Sequence, residues 1–229
     1  KSHRGGGVVE SMRGLVRNPS IKSVAEEEIR RVLPIIEEVR RHSDIPISVD
    51  TRKVEVMKAA VEAGADILND VSALEDDDRL PFLCAEAKIP VILMHKRGIP
   101  SSMQENTAYA NVFEEVSEYF KNRVEFAKSC GIADEKIWLD PGIGFGKGTA
   151  DNFKLMRRCG EFLGGKYPMV MALSRKTCIG DVTGRSVSGR LAGTIAANLL
   201  SVEVGASIIR VHDVKESVDS LKVLQHFCG

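Results

Sequence analysis

The chain has 229 residues, enough for one α/β domain with a large core, and its 32 Lys and Arg balance 32 Asp and Glu. That balance leaves neither a basic footprint for nucleic acid nor an acidic tail, so a small-molecule partner is expected. Five cysteines, Cys84, Cys130, Cys159, Cys178 and Cys228, form no CxxC pair; this argues against a zinc site or a disulfide framework and reads as thiols in a reducing compartment.

The opening, residues 1–20, is rich in Gly and Arg and is expected to be loop, with Val8 and Val9 as the remnant of a strand. It has neither the apolar core of a signal peptide nor the length of a transit peptide, and no later run approaches the roughly 18–20 apolar residues of a membrane helix. A cytoplasmic protein with no membrane partner is expected. Ser23 and Glu26 offer a capping box, and Ile29, Val32, Leu33, Ile36 and Val39 follow at helical spacing, which predicts a helix to about His42 bent at Pro34.

From there, short apolar runs alternate with amphipathic stretches. The runs are IPISV before Asp50, DIL before Asn69 and Asp70, VILM before His95, IWL before Asp140, VMAL before Ser174, and II before Arg210. Each has the length of a buried parallel strand. Helices are predicted at about Lys53–Ala63, Asp76–Ala87, Tyr109–Cys130, Asp151–Leu163, Val187–Glu203 and Lys215–Phe227, with a polar substrate-loop candidate at Lys96–Asn106. The pattern predicts one α/β domain over residues 1–229. Seven strands can be proposed, so an eight-stranded barrel would have a first strand that is missing or irregular. Crossover helices put all strand C-termini on one side, where the polar residues that end the runs should converge.

Asp140 opens LDPGIGFGK, in which glycines let backbone approach a ligand closely, although a strand-end Asp before Pro is also an ordinary turn former. Phe145, between Gly144 and Gly146, is a candidate to present its ring to a flat substrate. In ALSRKTCIG, period-2 alternation should send Ser174 and Lys176 one way and Arg175 the other; a solvated basic turn is the alternative. Arg210 and His212 in IIRVHD share a direction by the same rule and suit an anion. Asp50 and Asn69 can hold a heterocycle edge, or cap helices. His95, at a strand end, is more ordinarily structural.

The set SVDTRK, ILNDVS, VILMH, LDPGIGFGK, ALSRKTCIG, GRLAGTIAANLL and IIRVHDV, in this order and spacing, resembles the dihydropteroate synthase family of folate biosynthesis. The likeness runs from about Ser23 to the C-terminus. It implies a (β/α)8 barrel and a transferase that condenses 6-hydroxymethyl-7,8-dihydropterin pyrophosphate with p-aminobenzoate. Carried over, Asp50, Asn69, Met94, Asp140 and Lys176 would hold the pterin, with Lys176, Asp140 and Asp50 serving catalysis. Phe145, Ser174 and Arg13 would contact p-aminobenzoate, and Arg210 and His212 would grip the pyrophosphate. The resemblance also implies Mg2+ and a homodimer. The family's first-strand Asn, which helps hold magnesium, and its Asp-Ser-Phe loop have no counterpart here, and ESMRG at Glu10–Gly14 stands for the family's Glu-Ser-Thr-Arg-Pro-Gly. Two other readings use the same slot, a non-catalytic pterin-binding paralogue and a pterin-dependent methyltransferase domain. Lys176 with Arg210 and His212 argues against the second, whose chemistry expels no pyrophosphate.

Overall fold

The structure, a computed structural model, describes residues 9–11, 25–98 and 108–228. The Ser23 capping box, Arg13 and most of the Lys96–Asn106 connection lie outside the described residues. The chain divides into two compact units, one of residues 1–94 and 123–137, the other of residues 95–122 and 138–229.

In the first unit, β1 (Val9–Ser11), β2 (Ile47–Asp50), β3 (Ile67–Asp70) and β4 (Val91–Met94) pair in parallel in that order. Ile47, Val49, Leu68, Val91 and Leu93 are all buried, as expected of parallel strands covered on both faces. Each such side chain contributes about 1.5–3 kcal/mol through burial. The crossovers are α1 (Ala25–His42), α2 (Val54–Glu62) and α3 (Leu80–Ala87). Helix α1 runs unbroken through Pro34, buries Val32 and Ile36, and has three Glu in its first turn and Arg40, Arg41 and His42 in its last, matching the helix dipole. Its Arg40 ties the next return, donating to the carbonyls of Gly64 at 2.8 Å and Ile45 at 2.6 Å and pairing with Asp66.

Helix α3 starts later than the sequence pattern suggests. Asp77 is the reason: its carboxylate accepts the backbone N–H of Arg79 at 3.1 Å and, across the turn, that of Val54 at 3.0 Å, so it serves two helix beginnings instead of lying in a helix. After β3, Ala73 and Leu74 both take left-handed backbone conformations, φ 49° and 66°. Asp70 holds this turn, accepting from the Ser72 N–H at 2.7 Å, the Ser72 hydroxyl at 2.6 Å and the Leu74 N–H at 2.7 Å. Arg123 donates to the Ala73 carbonyl at 2.8 Å.

Helix α4 (Val112–Ser129) and strand β5 (Ile137–Asp140) each carry the chain from one unit's residues to the other's. In the second unit, Leu139 bridges Met169 in parallel, and β6 (Val170–Met171) pairs with β7 (Ile208–Ile209). The helices are α5 (Thr149–Arg157), α6 (Thr177–Thr183), α7 (Leu191–Glu203) and α8 (Val214–Cys228). The rings of Phe113 and Phe162 stack at 4.6 Å, with Phe120 edge-on to Phe162 at 5.1 Å, and form an aromatic core.

Two helix expectations are corrected here. The stretch expected as one helix to Leu163 ends at Arg157 and passes into a 3-10 segment, Cys159–Gly165, because Gly160 must lie against the backbone of residues 204 and 205. A Cβ at Gly160 would stand 2.2 Å from the Val204 carbonyl oxygen. The helix expected from Val187 is a short 3-10 turn, Val187–Gly189, followed by α7 from Leu191. Helix α6, directly after the SRK segment, was not anticipated.

Candidate active site

In the first unit the register places Asp50 beside Asn69 on adjacent parallel strands, so the two side chains leave the sheet on the same face. Asn69 is buried and Asp50 partly so. Asp70 points to the other face. Its carboxyl is wholly enclosed, and burial raises its pKa against the three hydrogen bonds that lower it. Alternation thus separates a carboxamide that can meet a ligand from a carboxylate spent on the fold. Met94 closes β4 and is also buried.

The second unit holds a denser constellation. Asp140 is buried at the end of β5; its backbone oxygen accepts the His95 N–H at 2.9 Å, and its carboxylate accepts the Gly142 N–H at 2.7 Å. Lys176 is partly buried, with desolvation pulling its ammonium pKa down and the Asp140 charge raising it. Its nitrogen lies 4.5 Å from the centre of the Phe145 ring, within cation–π range. Phe145 is therefore tethered beside an ammonium group and not folded into an apolar core.

Ser174 Oγ accepts the His212 backbone N–H at 3.2 Å and meets His212 Nδ1 at 2.8 Å. Partial desolvation, followed by the charges of Arg175 and Arg210, pushes the His212 pKa below its ordinary value. With the Ser174 hydroxyl donating to Nδ1, the neutral ring carries its proton on Nε2 and offers it outward. Arg210 follows β7 with an exposed side chain, its backbone N–H bonded to the Met171 carbonyl at 3.0 Å.

The segregation of Ser174 and Lys176 from Arg175 holds, though not by strand alternation. Strand β6 ends at Met171; residues 174–176 form a turn in which Arg175 is left-handed, φ 56°. The turn is fastened from α7's side: Thr194 Oγ1 accepts the Arg175 N–H at 3.0 Å, and Arg190 donates to the Arg175 carbonyl at 3.0 Å. Arg175 itself forks onto Asp213 at 3.1 and 2.5 Å, which holds the pair of loops bearing Ser174 and His212. Lys176 then stands at the residue position just before α6, where its side chain makes no hydrogen bond to the helix start.

Sequence reasoning passed over Lys147 at the end of LDPGIGFGK. It is buried, donates to the carbonyls of Gly142 and Phe145 at 3.0 Å each and of His95 at 3.4 Å, and burial lowers its pKa to about 7. Its only sequence signal was a cation closing a glycine-rich run. Among the described residues no group of three His, Cys, Asp or Glu side chains could hold a metal ion.

The sequence profile of the pterin binding enzyme family matches residues 17–212, which run through both units. The chain is 42% identical over 200 residues to dihydropteroate synthase of Escherichia coli, a match covering 87% of this chain and 71% of that one. The chain belongs to the dihydropteroate synthase family. The family member of Haemophilus influenzae is 38% identical over 221 residues, covering 96% and 80% of the two chains. Among solved structures, the dihydropteroate synthase of Xanthomonas albilineans with 4-aminobenzoic acid superposes with a TM-score of 0.87 at 39% identity, covering 97% of this chain and 79% of that one. The same enzyme in complex with 7,8-dihydropteroate gives 0.83 at 41% identity, covering 90% and 76%. The fold is accordingly α/β of the (β/α)8 barrel class, with seven strands among the described residues of this dihydropteroate synthase family member.

Proposed function

We propose that this chain condenses 6-hydroxymethyl-7,8-dihydropterin pyrophosphate with p-aminobenzoate, releasing pyrophosphate and forming 7,8-dihydropteroate. One observation carries the reading: in the second unit Lys176 lies against Phe145 and under the field of Asp140, with the Ser174–His212 pair close enough for His212 to feel the Lys176 charge. Such a group can take an aromatic acid and an anionic leaving group; its Ser174–His212 hydroxyl–imidazole pair is assigned to binding these two, not to covalent catalysis.

Asp50, Asn69 and Met94 are assigned to the pterin in the first unit, and Asp140 and Lys176 in the second. The Asp140 carboxylate favours the positive charge that develops on the pterin as the pyrophosphate departs, the electrostatic stabilisation such a transition state needs. Arg210 and the outward N–H of His212 receive the departing pyrophosphate. Phe145 packs on the aryl ring, and Ser174 lies towards its carboxylate. The aryl amine then attacks the exocyclic carbon and loses its proton to solvent. Arg13 remains assigned to p-aminobenzoate, outside the described residues. Mg2+ enters as the counter-ion of the substrate's pyrophosphate.

The single-domain reading of residues 1–229 is supported by the family match spanning both units. No described helix is long and apolar enough to cross a membrane, and a cytoplasmic site of action is part of the proposal. A homodimer is proposed as well, through the outer helices. The test is direct: both substrates and Mg2+ are incubated with the chain, and dihydropteroate is sought by chromatography. Product that requires both substrates supports the enzyme. Pterin binding without product would favour the non-catalytic paralogue.

A further inference from the structure

The Lys147 ammonium has three protons and three carbonyl acceptors, those of His95, Gly142 and Phe145. Each N–H is therefore used within the protein, and no donor remains for a substrate. The acceptors are instructive. Two belong to the loop between Asp140 and Lys147, and the third belongs to the residue whose N–H is bonded to the Asp140 carbonyl. The loop needs such a tie, since Gly142, Gly144 and Gly146 all have left-handed φ, 63°, 85° and 66°, and their freedom makes the unfastened segment costly to order.

One other fastening meets a charge, the Gly142 N–H donating to the Asp140 carboxylate at 2.7 Å, and the next two are neutral. The Gly144 N–H donates to Asn152 Oδ1 at 2.8 Å, and Asn152 Nδ2 donates to the Lys147 carbonyl at 3.2 Å. On its outer side Gly146 lies so close to Arg97 that a Cβ would stand 2.6 Å from the Arg97 carbonyl oxygen. The one cation at the centre of these carbonyls thus sets where Phe145 is held, and Phe145 is the ring against which Lys176 packs.

We infer that Lys147 is a positioning residue for the aryl-amine substrate: its protonated side chain clamps the Gly142–Gly146 loop and so fixes the Phe145 ring, and loss of that proton releases the loop. This inference rests on the proposed reaction for its substrate and on geometry for its clamp. A neutral amine keeps two N–H groups and turns a lone pair toward the third carbonyl, so the arrangement can no longer be satisfied. The charged and titratable groups facing Lys147 are Asp140, which favours the ammonium, and Lys176, Arg97 and His95, of which the first two disfavour it and the third is neutral at pH 7. Burial is the largest influence and brings the transition to about pH 7.

The experiment has an arm that needs no turnover. Hydrogen exchange of the Gly142 and Gly144 amides in the full chain, corrected for intrinsic rates, should lose roughly tenfold or more of its protection between about pH 6 and pH 8.5. In Lys147→Met, whose stem is similar but which cannot donate, protection should be low at both. Protection that is constant with pH in the wild type would overturn the clamp, whether or not the variant folds.

In steady state, Lys147→Met should raise KM for p-aminobenzoate roughly tenfold while KM for the pterin pyrophosphate changes less than about threefold. The wild-type kcat/KM for p-aminobenzoate should fall above neutral pH through a limb that the variant lacks. Equal rises in both KM values, or a limb that persists in the variant, would reduce Lys147 to a structural residue. Should the wild type make no dihydropteroate while the exchange arm behaves as described, the reaction assignment fails and the clamp stands.

Discussion

His95 shows how a strand-end residue can be polar and still belong to the interior. It is buried, its Nδ1 has no hydrogen-bond partner among the described residues, and Tyr119 meets its ring edge-on at 4.8 Å. Burial, with Lys147 and Arg97 nearby, lowers its pKa from 6.5 to about 3. The folded state therefore binds fewer protons than the unfolded chain between these values, so the contribution of His95 to stability is complete above about pH 6.5 and is lost as pH falls toward 3. The slope is about 1.4 kcal/mol per pH unit at most. Urea titrations at pH 7 and 5 should show the wild type losing more stability than His95→Phe; equal losses would place the acid sensitivity elsewhere. At the proposed site, calorimetry with the pterin pyrophosphate should show Lys176→Ala and Asp50→Ala each weakening binding by about 1.5–3 kcal/mol, the range for a hydrogen bond to a charged group. Unchanged affinity in both would refute the assignment. These strand-end residues were legible in the sequence because a buried parallel strand is a bare apolar run and whatever ends it stands out. Lys147 and the Arg175–Asp213 fork were not legible, since their partners are backbone carbonyls and a residue 38 positions away.

Among the elements, strands and their order were readable and several turns were not. Strand β3 reads from its letters, whereas the left-handed pair Ala73–Leu74 behind it depends on Asp70, whose capacity to accept three hydrogen bonds at once has no local periodicity. Helix α6 escaped notice because TCIGDVT carries only two turns and an internal glycine. That glycine has its own reason, as a Cβ at Gly180 would strike the Arg190 guanidinium at 2.3 Å. Arg190 cannot retreat without leaving the Arg175 carbonyl. The glycine loop offers the sharper test. At Gly146 an added Cβ meets backbone on a residue with left-handed φ, so Gly146→Ala should cost about 2 kcal/mol or more, with p-aminobenzoate affinity falling too. Differential scanning calorimetry showing an unshifted midpoint would contradict the packing.

At the scale of the whole molecule, alternation of strand and helix was enough to name the fold class, and the seven strands proposed from the sequence correspond to the seven found among the described residues. What the sequence could not show is how the outer helices are finished. Leu200 and Val204 at the end of α7, and Val214, Val218, Val223 and Phe227 along α8, are exposed large apolar side chains, Leu200 at 68% and Phe227 at 88%. The proposed homodimer would bury them, and light scattering should then give twice the 25.1 kDa chain mass, with Val223→Glu and Leu200→Glu together shifting it to one copy. A single-copy mass for the wild type would end that proposal. The same bare stripe has a practical bearing on handling. A chain with zero formal net charge has little colloidal repulsion to keep such surfaces apart, so strong dilution of the proposed homodimer should separate its copies and leave greasy helices to adhere to vessel walls. Rates measured from nanomolar stocks would decay on standing, and carrier albumin would restore them.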